Sequence, residues 1–210
     1  MNNLISESEN WEGFLKKYIS PSVVGKEWDL IIDPLLPGCY GFQLFNKSFC
    51  DQLISISEEK GNWASGQRQS NEEYETYDIL LEDVGFDEIY NNILIDYVYP
   101  AVIHSFHLEA VLGNKSPAER FHAENFIAKY TPDNQSHLSL HHDFSQVTTL
   151  VALNEEFKGG GTWFPDHQKL LRYPPGYMVF HPGMFTHYHG ARPISEGKRY
   201  ILVTFNNWCP

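Results

Sequence analysis

The sequence is poor in cysteine, in positive charge and in long apolar runs, and each shortage narrows the classes of protein it can belong to. The three cysteines, Cys39, Cys50 and Cys209, allow at most one internal disulfide and form no CxxC motif. Lys and Arg number 15 against 27 Asp and Glu, a net charge of −12, so nucleic acid is not an expected partner. No apolar run approaches the ~20 residues that span a bilayer, and the opening residues have neither the basic nor the apolar region of a secretory signal.

Positive charge is missing altogether from one long stretch. Between Arg68 and Lys115 the sequence has no Lys or Arg. Ten acidic residues fall in that stretch, and eight of them lie between positions 72 and 88: Glu72, Glu73, Glu75, Asp78, Glu82, Asp83, Asp87 and Glu88. The simplest interpretation is a solvated acidic surface, and the alternative is a surface that attracts a cationic substrate.

Length and composition predict one globular domain over residues 1–210. The hydrophobic fraction of 42% and the aromatic fraction of 15% are enough for a sizeable core. Residues 1–110 are expected to be mainly helical. One helix is expected to be capped by Ser48, and a second to start near Asp87 and to be ended or kinked by Pro100.

The second half of the chain has the pattern of short strands separated by Pro- and Gly-rich turns. This pattern is typical of a sandwich or barrel, and a jelly roll is the favoured form. We therefore predict a mainly β protein with flanking helices, in which residues 120–210 form a double-stranded β-helix (jelly-roll) core and the helical half supports one sheet. The predicted strands cover residues 125–131, 147–153, 177–180, 186–189 and 200–205.

Histidine is concentrated in the same half, where seven of the ten residues lie at or after position 137. His141 and Asp143 are two residues apart in an extended segment, so their side chains share a face and His142 points away. One imidazole and one carboxylate on a common face are two thirds of a 2-His-1-carboxylate iron site. Such an HxD pair also arises often by chance.

The third ligand has to come from a distant strand, and the residues alone leave His181, His187 and His189 as candidates. Strand parity does not separate His187 from His189, because both lie on one face. Arg199 follows His189 by ten residues, at the start of a predicted strand. A hairpin through ARPISEGK is expected to bring this arginine beside the iron-binding strand.

A buried arginine near such a site has a specific task. A 2-oxo dicarboxylic acid that chelates iron through its oxo-acid end leaves a distant carboxylate, and the planar guanidinium of Arg199 matches a carboxylate with two hydrogen bonds. Tyr130, on the strand before His141, is a candidate donor to the same carboxylate. An exposed arginine and a core tyrosine are the plainer interpretations of these two residues.

The motifs around these residues resemble one known family. The segments LSLHHDFSQVTTLVALN, KGGGTWF and PPGYMVFHPGMFTHYHGARPISEGKRYILVTFNNWCP closely resemble the C-terminal catalytic domain of procollagen lysyl hydroxylases. The likeness continues upstream in FIAKYTPDNQSHL, GNWASGQRQSN and YGFQLFNKSFCDQL. It therefore covers nearly the whole chain.

This resemblance implies a role for each candidate residue. The family's HxD pair falls on His141 and Asp143, its distal histidine on His189, its 2-oxoglutarate arginine on Arg199, and a co-substrate contact on Tyr130. The resemblance implies Fe(II), 2-oxoglutarate and ascorbate (vitamin C) as cofactors and co-substrate, and a jelly-roll fold.

The implied activity is a 2-oxoglutarate-dependent dioxygenase that hydroxylates lysine in collagen-like Gly-X-Y sequences to 5-hydroxylysine and releases succinate and carbon dioxide. The implied setting is the endoplasmic reticulum lumen of the secretory pathway, with homodimerisation, no membrane span and further domains upstream. Two rival functions are a prolyl 4-hydroxylase, which uses the same ligands, and a metal- or collagen-binding module without turnover.

Two positions depart from the family pattern. Leu150 stands where the family usually has Asn, and Thr162 stands after the Gly triplet where it has Cys. The first change affects the co-substrate pocket, and the second implies that the family's disulfide pattern is not kept. We expect neither change to touch the predicted iron ligands, and we expect neither to touch Arg199.

Overall fold

Two facing antiparallel sheets form the centre of the molecule. The computed structural model describes residues 3–66, 76–109 and 116–208. The strands are β1 (Asp33–Leu36), β2 (Cys39–Gln43), β3 (Ala64–Gly66), β4 (Thr76–Leu80), β5 (Phe121–Tyr130), β6 (Leu138–His141), β7 (Val147–Ala152), β8 (Phe157–Gly159), β9 (Thr162–Phe164), β10 (Lys169–Leu171), β11 (Tyr177–Pro182), β12 (His189–Ala191), β13 (Ile194–Gly197) and β14 (Arg199–Trp208).

The larger sheet has eight strands in the order β1-β2-β11-β7-β14-β5-β4-β3, and the smaller has four in the order β10-β9-β12-β6. Strands β13 and β8 form a separate pair. β14 lies between β7 and β5 and pairs with β5 over ten residues. Four strands of the large sheet, β1 to β4, come from the first half of the chain, where the sequence analysis predicted mainly helices.

The helices lie mostly in the first half, as expected, and cover the outer face of the large sheet. They are α1 (Asn3–Glu7), α2 (Trp11–Tyr18), α3 (Pro21–Val24), α4 (Trp28–Ile31), α5 (Lys47–Lys60), α6 (Asp87–Ile93), a π-helical segment (Leu94–Val98), α7 (Tyr99–Phe106) and α8 (Pro117–Arg120), with a 3-10 turn at Pro165–His167. The part of the chain with a described structure contains no helix long and apolar enough to cross a membrane.

Helix α5 begins two residues earlier than predicted. Asn46, not Ser48, is its N-cap, and the Asn46 side chain accepts a hydrogen bond from the backbone N–H of Phe49. Asn caps helices as well as Ser does, so the residue type alone does not decide between positions 46 and 48. The helix ends at Gly61, whose φ of 71° is readily adopted by glycine.

Pro100 does not end the second helix, contrary to one of the two predicted outcomes. The chain stays helical from Asp87 to Phe106, with a π-helical turn at Leu94–Val98 just before the proline. Proline has no N–H and its ring collides with the carbonyl four residues earlier. The wider π turn is a common way for a helix to accommodate such a local disruption.

Alternation along the strands of the large sheet separates two cores. Ile127 and Leu202 point outward and pack against the helices, whereas Phe126, Ala128 and Ile201 point inward towards the small sheet. This parity decides which residues of each strand can reach the space between the sheets. That space contains the candidate active site.

Candidate active site

The structure brings together three of the predicted residues at one end of the space between the sheets. His141 ends β6, His189 begins β12, and these two residues face each other directly in the antiparallel register. Asp143 follows β6 by two residues. Ligand atoms of all three lie within 4.8 Å of one another, and all three residues are buried. Among the described residues, this is the one group of three His, Cys, Asp or Glu side chains with such spacing.

The distances within this triad fit a metal ion with adjacent ligands. The Nε2 atom of His141 lies 3.2 Å from Oδ1 of Asp143, and Nε2 of His189 lies 3.7 Å from Oδ2. Adjacent corners of an octahedron with bonds of ~2.1 Å are about 3 Å apart. Two imidazoles and one carboxylate on one side of the ion leave the opposite positions open, which is the arrangement of iron oxygenases.

Backbone carbonyls orient both imidazoles. The Nδ1 atom of His141 lies 2.7 Å from the carbonyl oxygen of Ser139, and Nδ1 of His189 lies 2.8 Å from that of His187. Because a carbonyl oxygen only accepts hydrogen bonds, each Nδ1 carries the proton and each Nε2 keeps its lone pair for the triad. Burial lowers the pKa of His189, which favours the neutral imidazole that a metal requires.

Side-chain hydroxyls orient the carboxylate. Thr148 Oγ1 donates to Oδ2 of Asp143 at 2.6 Å, and Ser145 Oγ lies 2.6 Å from the Thr148 hydroxyl. Burial alone would raise the pKa of Asp143, but the neighbouring imidazoles of His189 and His141 outweigh it, and the pKa falls well below its usual range. The carboxylate is therefore ionised. Thr148 and Ser145 are not among the predicted site residues, and their signal in the sequence is a set of hydroxyl residues shortly after the HxD pair.

The geometry distinguishes the three histidines that the residues alone left open. His189 points into the triad, whereas Nε2 of His187 lies 3.1 Å from the carbonyl of Pro37 and its Nδ1 faces the hydroxyl of Thr186. His181 is fully buried behind His189, with ring centroids 4.9 Å apart, and its Nε2 has no hydrogen-bond partner in the described structure. The predicted strand at residues 186–189 is wrong, because β12 begins only at His189.

His181 leads to an expected pH dependence of stability. Burial lowers its pKa to about 3 from an ordinary value near 6.5. Between these pH values the unfolded chain binds a proton that the folded chain does not. The free energy of unfolding of the metal-free protein is therefore expected to fall on acidification through this window, by up to ~1.4 kcal/mol per pH unit from this residue.

Urea unfolding of wild type and His181→Phe at several pH values checks this expectation. The substitution removes a buried nitrogen without a partner, and it should make the pH slope shallower. His122→Phe is the matched control, because that exposed imidazole is solvated in both states. Equal slopes for wild type and His181→Phe would contradict the assignment of this proton to His181.

Arg199 reaches the same space from the large sheet, by a route different from the predicted one. The expected hairpin does not form, because β13 pairs with β8 and β14 pairs with β5 and β7. Instead, Arg199 starts β14 directly opposite Tyr130 on β5. Equal parity then points both side chains inward, and the guanidinium carbon lies 5.1 Å from the Tyr130 ring centroid.

The guanidinium of Arg199 is a buried cation, and no acidic side chain of the described residues pairs with it. The residue is 7% exposed, and its Nη2 donates a long hydrogen bond of 3.4 Å to Thr162 Oγ1. In the described part of the chain, Arg199 forms no salt bridge, and burial lowers its pKa. A buried charge of this kind is unfavourable unless an anion pairs with it. The site is therefore suited to an anionic ligand.

One cavity joins the triad to Arg199. It has an interior volume of about 60 Å³, a narrow space between the two sheets. The walls are mostly apolar, and the polar groups are at the triad, at Arg199 and Tyr130, and at Thr162. Both departures from the family pattern line this cavity, Leu150 on its apolar wall and Thr162 beside Arg199. The expectation that neither departure touches Arg199 is therefore wrong for Thr162, whose hydroxyl accepts the hydrogen bond from the guanidinium. The lining residues are Thr76, Phe126, Ala128, Tyr130, Leu138, His141, Asp143, Leu150, Thr162, His189, Gly190, Ala191, Arg199, Ile201, Val203 and Phe205.

The outer face of the same strands carries an ion pair that fixes their register. Lys129 lies opposite Tyr200, one residue along from the Tyr130–Arg199 pair. Lys129 Nζ donates to Glu58 Oε1 at 2.6 Å, and the Tyr200 hydroxyl donates to the same oxygen at 2.9 Å. The ammonium also lies 4.7 Å from the Trp63 ring centroid. These contacts fasten helix α5 to the two strands behind the cavity.

Loss of this ion pair is expected to lower stability measurably. Lys129→Met leaves the Glu58 carboxylate without its partner, and we expect a fall of about 2 kcal/mol in the free energy of unfolding. A fully buried pair would lose 3–5 kcal/mol, but the Glu58 side chain is 34% exposed and water replaces part of the interaction. Lys158→Met is the control, since its pair with Glu196 is exposed and should contribute below ~1 kcal/mol. If urea unfolding shows equal losses of stability in Lys129→Met and Lys158→Met, the greater contribution assigned to the Lys129–Glu58 pair is refuted.

The acidic stretch and the cysteines have plainer roles where they are described. Asp78 is buried on β4 and bonds to Thr76, and Asp87 accepts from Asn91 and Asn125. Glu72, Glu73, Glu75 and Cys209 lie outside the described residues. Cys39 and Cys50 are buried free thiols.

The fold is that of known 2-oxoglutarate oxygenases. A Pseudomonas putida prolyl-4-hydroxylase superposes with a TM-score of 0.55 over 90% of this chain and 98% of that one, at 14% identity. A collagen prolyl hydroxylase from Paramecium Bursaria Chlorella virus-1 gives 0.53 over 80% and 95%, also at 14% identity. At such identity the likeness concerns the fold, and it confirms the predicted mainly β jelly roll with flanking helices.

Sequence relatives are more specific. No protein-family model matches the chain. The mouse and human procollagen-lysine,2-oxoglutarate 5-dioxygenases 1 are each 30% identical over 96% of this chain, which spans 28% of their length. The human multifunctional procollagen lysine hydroxylase and glycosyltransferase is 32% identical over 85% of the chain and 25% of its own length. Over the segment that it shares with them, the chain is thus a homologue of the procollagen lysyl hydroxylase family.

Proposed function

We propose that this chain is a 2-oxoglutarate-dependent dioxygenase domain that hydroxylates lysine in collagen-like Gly-X-Y sequences to 5-hydroxylysine, with release of succinate and carbon dioxide. The observation that carries the proposal is the buried His141–Asp143–His189 triad in one cavity with Arg199, which forms no salt bridge with any described residue. The relatives named for lysine hydroxylation support the choice of substrate.

His141, Asp143 and His189 would hold Fe(II), and Arg199 with Tyr130 would hold the distal carboxylate of 2-oxoglutarate. When bound, iron and 2-oxoglutarate together activate dioxygen, and oxidative decarboxylation of the oxo acid supplies the two electrons that balance hydroxylation. The protein's own task is to position these groups and to exclude water. Thr148 holds the Asp143 carboxylate in place, and the apolar walls keep the cavity dry.

Three further expectations accompany this proposal, and family resemblance supports each. We infer that ascorbate sustains repeated turnover, that the chain acts in the lumen of the secretory pathway, and that it forms homodimers. Turnover with and without ascorbate tests the first, localisation of the tagged full-length protein the second, and light scattering of the purified chain the third.

The proposal is tested by incubating the protein with Fe(II), 2-oxoglutarate and collagen-like peptides that contain both Lys and Pro. We expect succinate to form only with iron and 2-oxoglutarate, and mass spectrometry to place one added oxygen on lysine. Oxygen on proline would favour prolyl 4-hydroxylation, the alternative that the structural neighbours' names suggest. Peptide binding without succinate would indicate a non-catalytic binding module.

A further inference from the structure

Three exposed apolar side chains lie close to the triad residues along the chain and have no role in the chemistry described above. Phe185 is 87% exposed, Phe144 44% and Met184 39%. Phe144 directly follows Asp143, and the turn that carries Met184 and Phe185 leads into His189. We name these three side chains the apolar ledge.

Hydrogen bonds hold the ledge rigidly against the segment that bears Asp143. The backbone N–H of Met184 donates to the carbonyl of Ser145 at 3.0 Å, and that of Gly183 donates to Gln146 at 3.3 Å. A side chain at position 183 would collide with Ser145, so only glycine permits this approach. The exposed rings are therefore presented from a fixed backbone beside the triad.

The backbone at Phe185 itself is strained. Its φ is 69°, in the left-handed region that a bulky side chain rarely adopts. Neither burial nor packing explains the conformation, because the ring is the most exposed of the large apolar side chains in the described structure. Strained residues that are held outward cluster at ligand-binding sites.

The segments around the ledge are free of charge, although the chain as a whole carries −12. Between Arg172 and Arg192 the sequence has no Asp, Glu, Lys or Arg. Between Asp133 and Glu155 it has only Asp143, which belongs to the triad. The ledge therefore matches a neutral, apolar part of a substrate.

We propose that the apolar ledge binds the pyrrolidine ring of an imino acid that flanks the target lysine, so that Phe185 and Phe144 determine sequence specificity. The inference rests on the proposed function. Collagen-like Gly-X-Y chains are extended in the polyproline II form and display such rings without ordering cost. Exposed aromatic surfaces are the usual partners of proline-rich polyproline II segments.

Binding of two labelled peptides to protein loaded with Mn(II) and 2-oxoglutarate tests the ledge without requiring turnover. The peptides carry Gly-Pro-Lys or Gly-Ser-Lys and are otherwise identical. We expect wild type to bind the proline peptide more tightly. In Phe185→Ala and Phe144→Ala that peptide should bind roughly threefold to tenfold more weakly, the size of a lost aromatic contact. Affinity for the serine peptide should change little.

Two control variants separate the ledge from general effects. Phe185→Tyr keeps the aromatic ring and should keep the preference for proline. Leu30→Ala removes a distant apolar side chain that is 82% exposed, and it should change neither affinity. Circular dichroism establishes that each variant is folded.

The outcomes distinguish the ledge from the proposed function. A wild type without preference for the proline peptide, or a Phe185→Ala variant that keeps it, overturns the ledge. The same holds for a wild type that binds neither peptide. A wild type with the expected preference but without succinate formation leaves the ledge standing and overturns the proposed hydroxylation.

Discussion

Replacing Asp143 with alanine is expected to abolish iron-dependent succinate formation. The carboxylate is the only anion in the triad, and the two remaining imidazoles provide no charge to balance a divalent ion. Loss of an outer-shell partner alone typically lowers metal affinity or activity 10- to 100-fold. Removal of the ligand itself should therefore lower the Fe(II) affinity more than ~100-fold. It should lower turnover of a lysine-containing collagen peptide by at least the same factor.

The metal-free form of Asp143→Ala is expected to be less stable than wild type at neutral pH. The interactions of the Asp143 carboxylate with His189 and His141 outweigh its burial and lower its pKa, so the carboxylate stabilises the folded state and the substitution removes that contribution. Asp133→Ala, at an exposed acid ten residues away, is the control and should keep full activity. Retention of a tenth or more of wild-type turnover in Asp143→Ala would refute the triad as the metal site.

Replacing Arg199 with methionine is expected to raise the KM for 2-oxoglutarate. A buried charge-assisted contact contributes about 1.5–3 kcal/mol, so the KM should rise roughly 10- to 150-fold, while the peptide KM changes little. The KM of Arg199→Lys for 2-oxoglutarate should lie between those of wild type and Arg199→Met, because lysine keeps the charge but loses the planar guanidinium. Initial-rate kinetics with both substrates varied give these constants.

Stability separates a ligand-binding arginine from a structural one. Arg199 has no acidic partner in the described structure, so Arg199→Met should leave the thermal midpoint of the ligand-free protein unchanged or raise it. 2-Oxoglutarate should stabilise wild type and not the variant. Arg192→Met, at an exposed arginine above the Trp163 ring, is the control and should bind 2-oxoglutarate as wild type does. A large loss of stability in ligand-free Arg199→Met would contradict this role.

The local periodicities of the sequence predicted much of the site. His141 and Asp143 are two residues apart at the end of a strand, and that spacing alone puts both side chains on one face. The strand that begins at Arg199 was also predicted, since YILVTF is rich in β-branched and aromatic residues. These inferences depend on neighbours along the chain.

What depends on distant pairing could not be derived in this way. Strand parity over residues 186–189 does not separate His187 from His189, whereas in the structure the chain turns before His189 and directs His187 to Pro37. The position of Arg199 likewise follows from its pairing with Tyr130, 69 positions earlier in the chain, not from a hairpin with β12. Resemblance to the family, rather than periodicity, selected His189 in advance.

The strands β1 to β4 were not predicted, because they too depend on pairing with strands that are distant in the sequence. They are three to five residues long and lie among helices. Short strands carry too little alternation to be recognised without the sheet that they join. β2 becomes a strand because β11 pairs with it, and β4 because β5 does.

Main-chain oxygens align the two imidazoles of the triad, whereas side-chain hydroxyls align the carboxylate. Because of this difference, the residues that orient the histidines should tolerate more substitutions than those that orient the aspartate. Every amino acid supplies a carbonyl, so positions 139 and 187 can drift in evolution without rotating His141 or His189. Position 148 has no such freedom, because only Ser or Thr places a hydroxyl there that can donate a hydrogen bond to Asp143. In descendants of this chain, positions 139 and 187 should therefore vary, whereas position 148 should remain Ser or Thr.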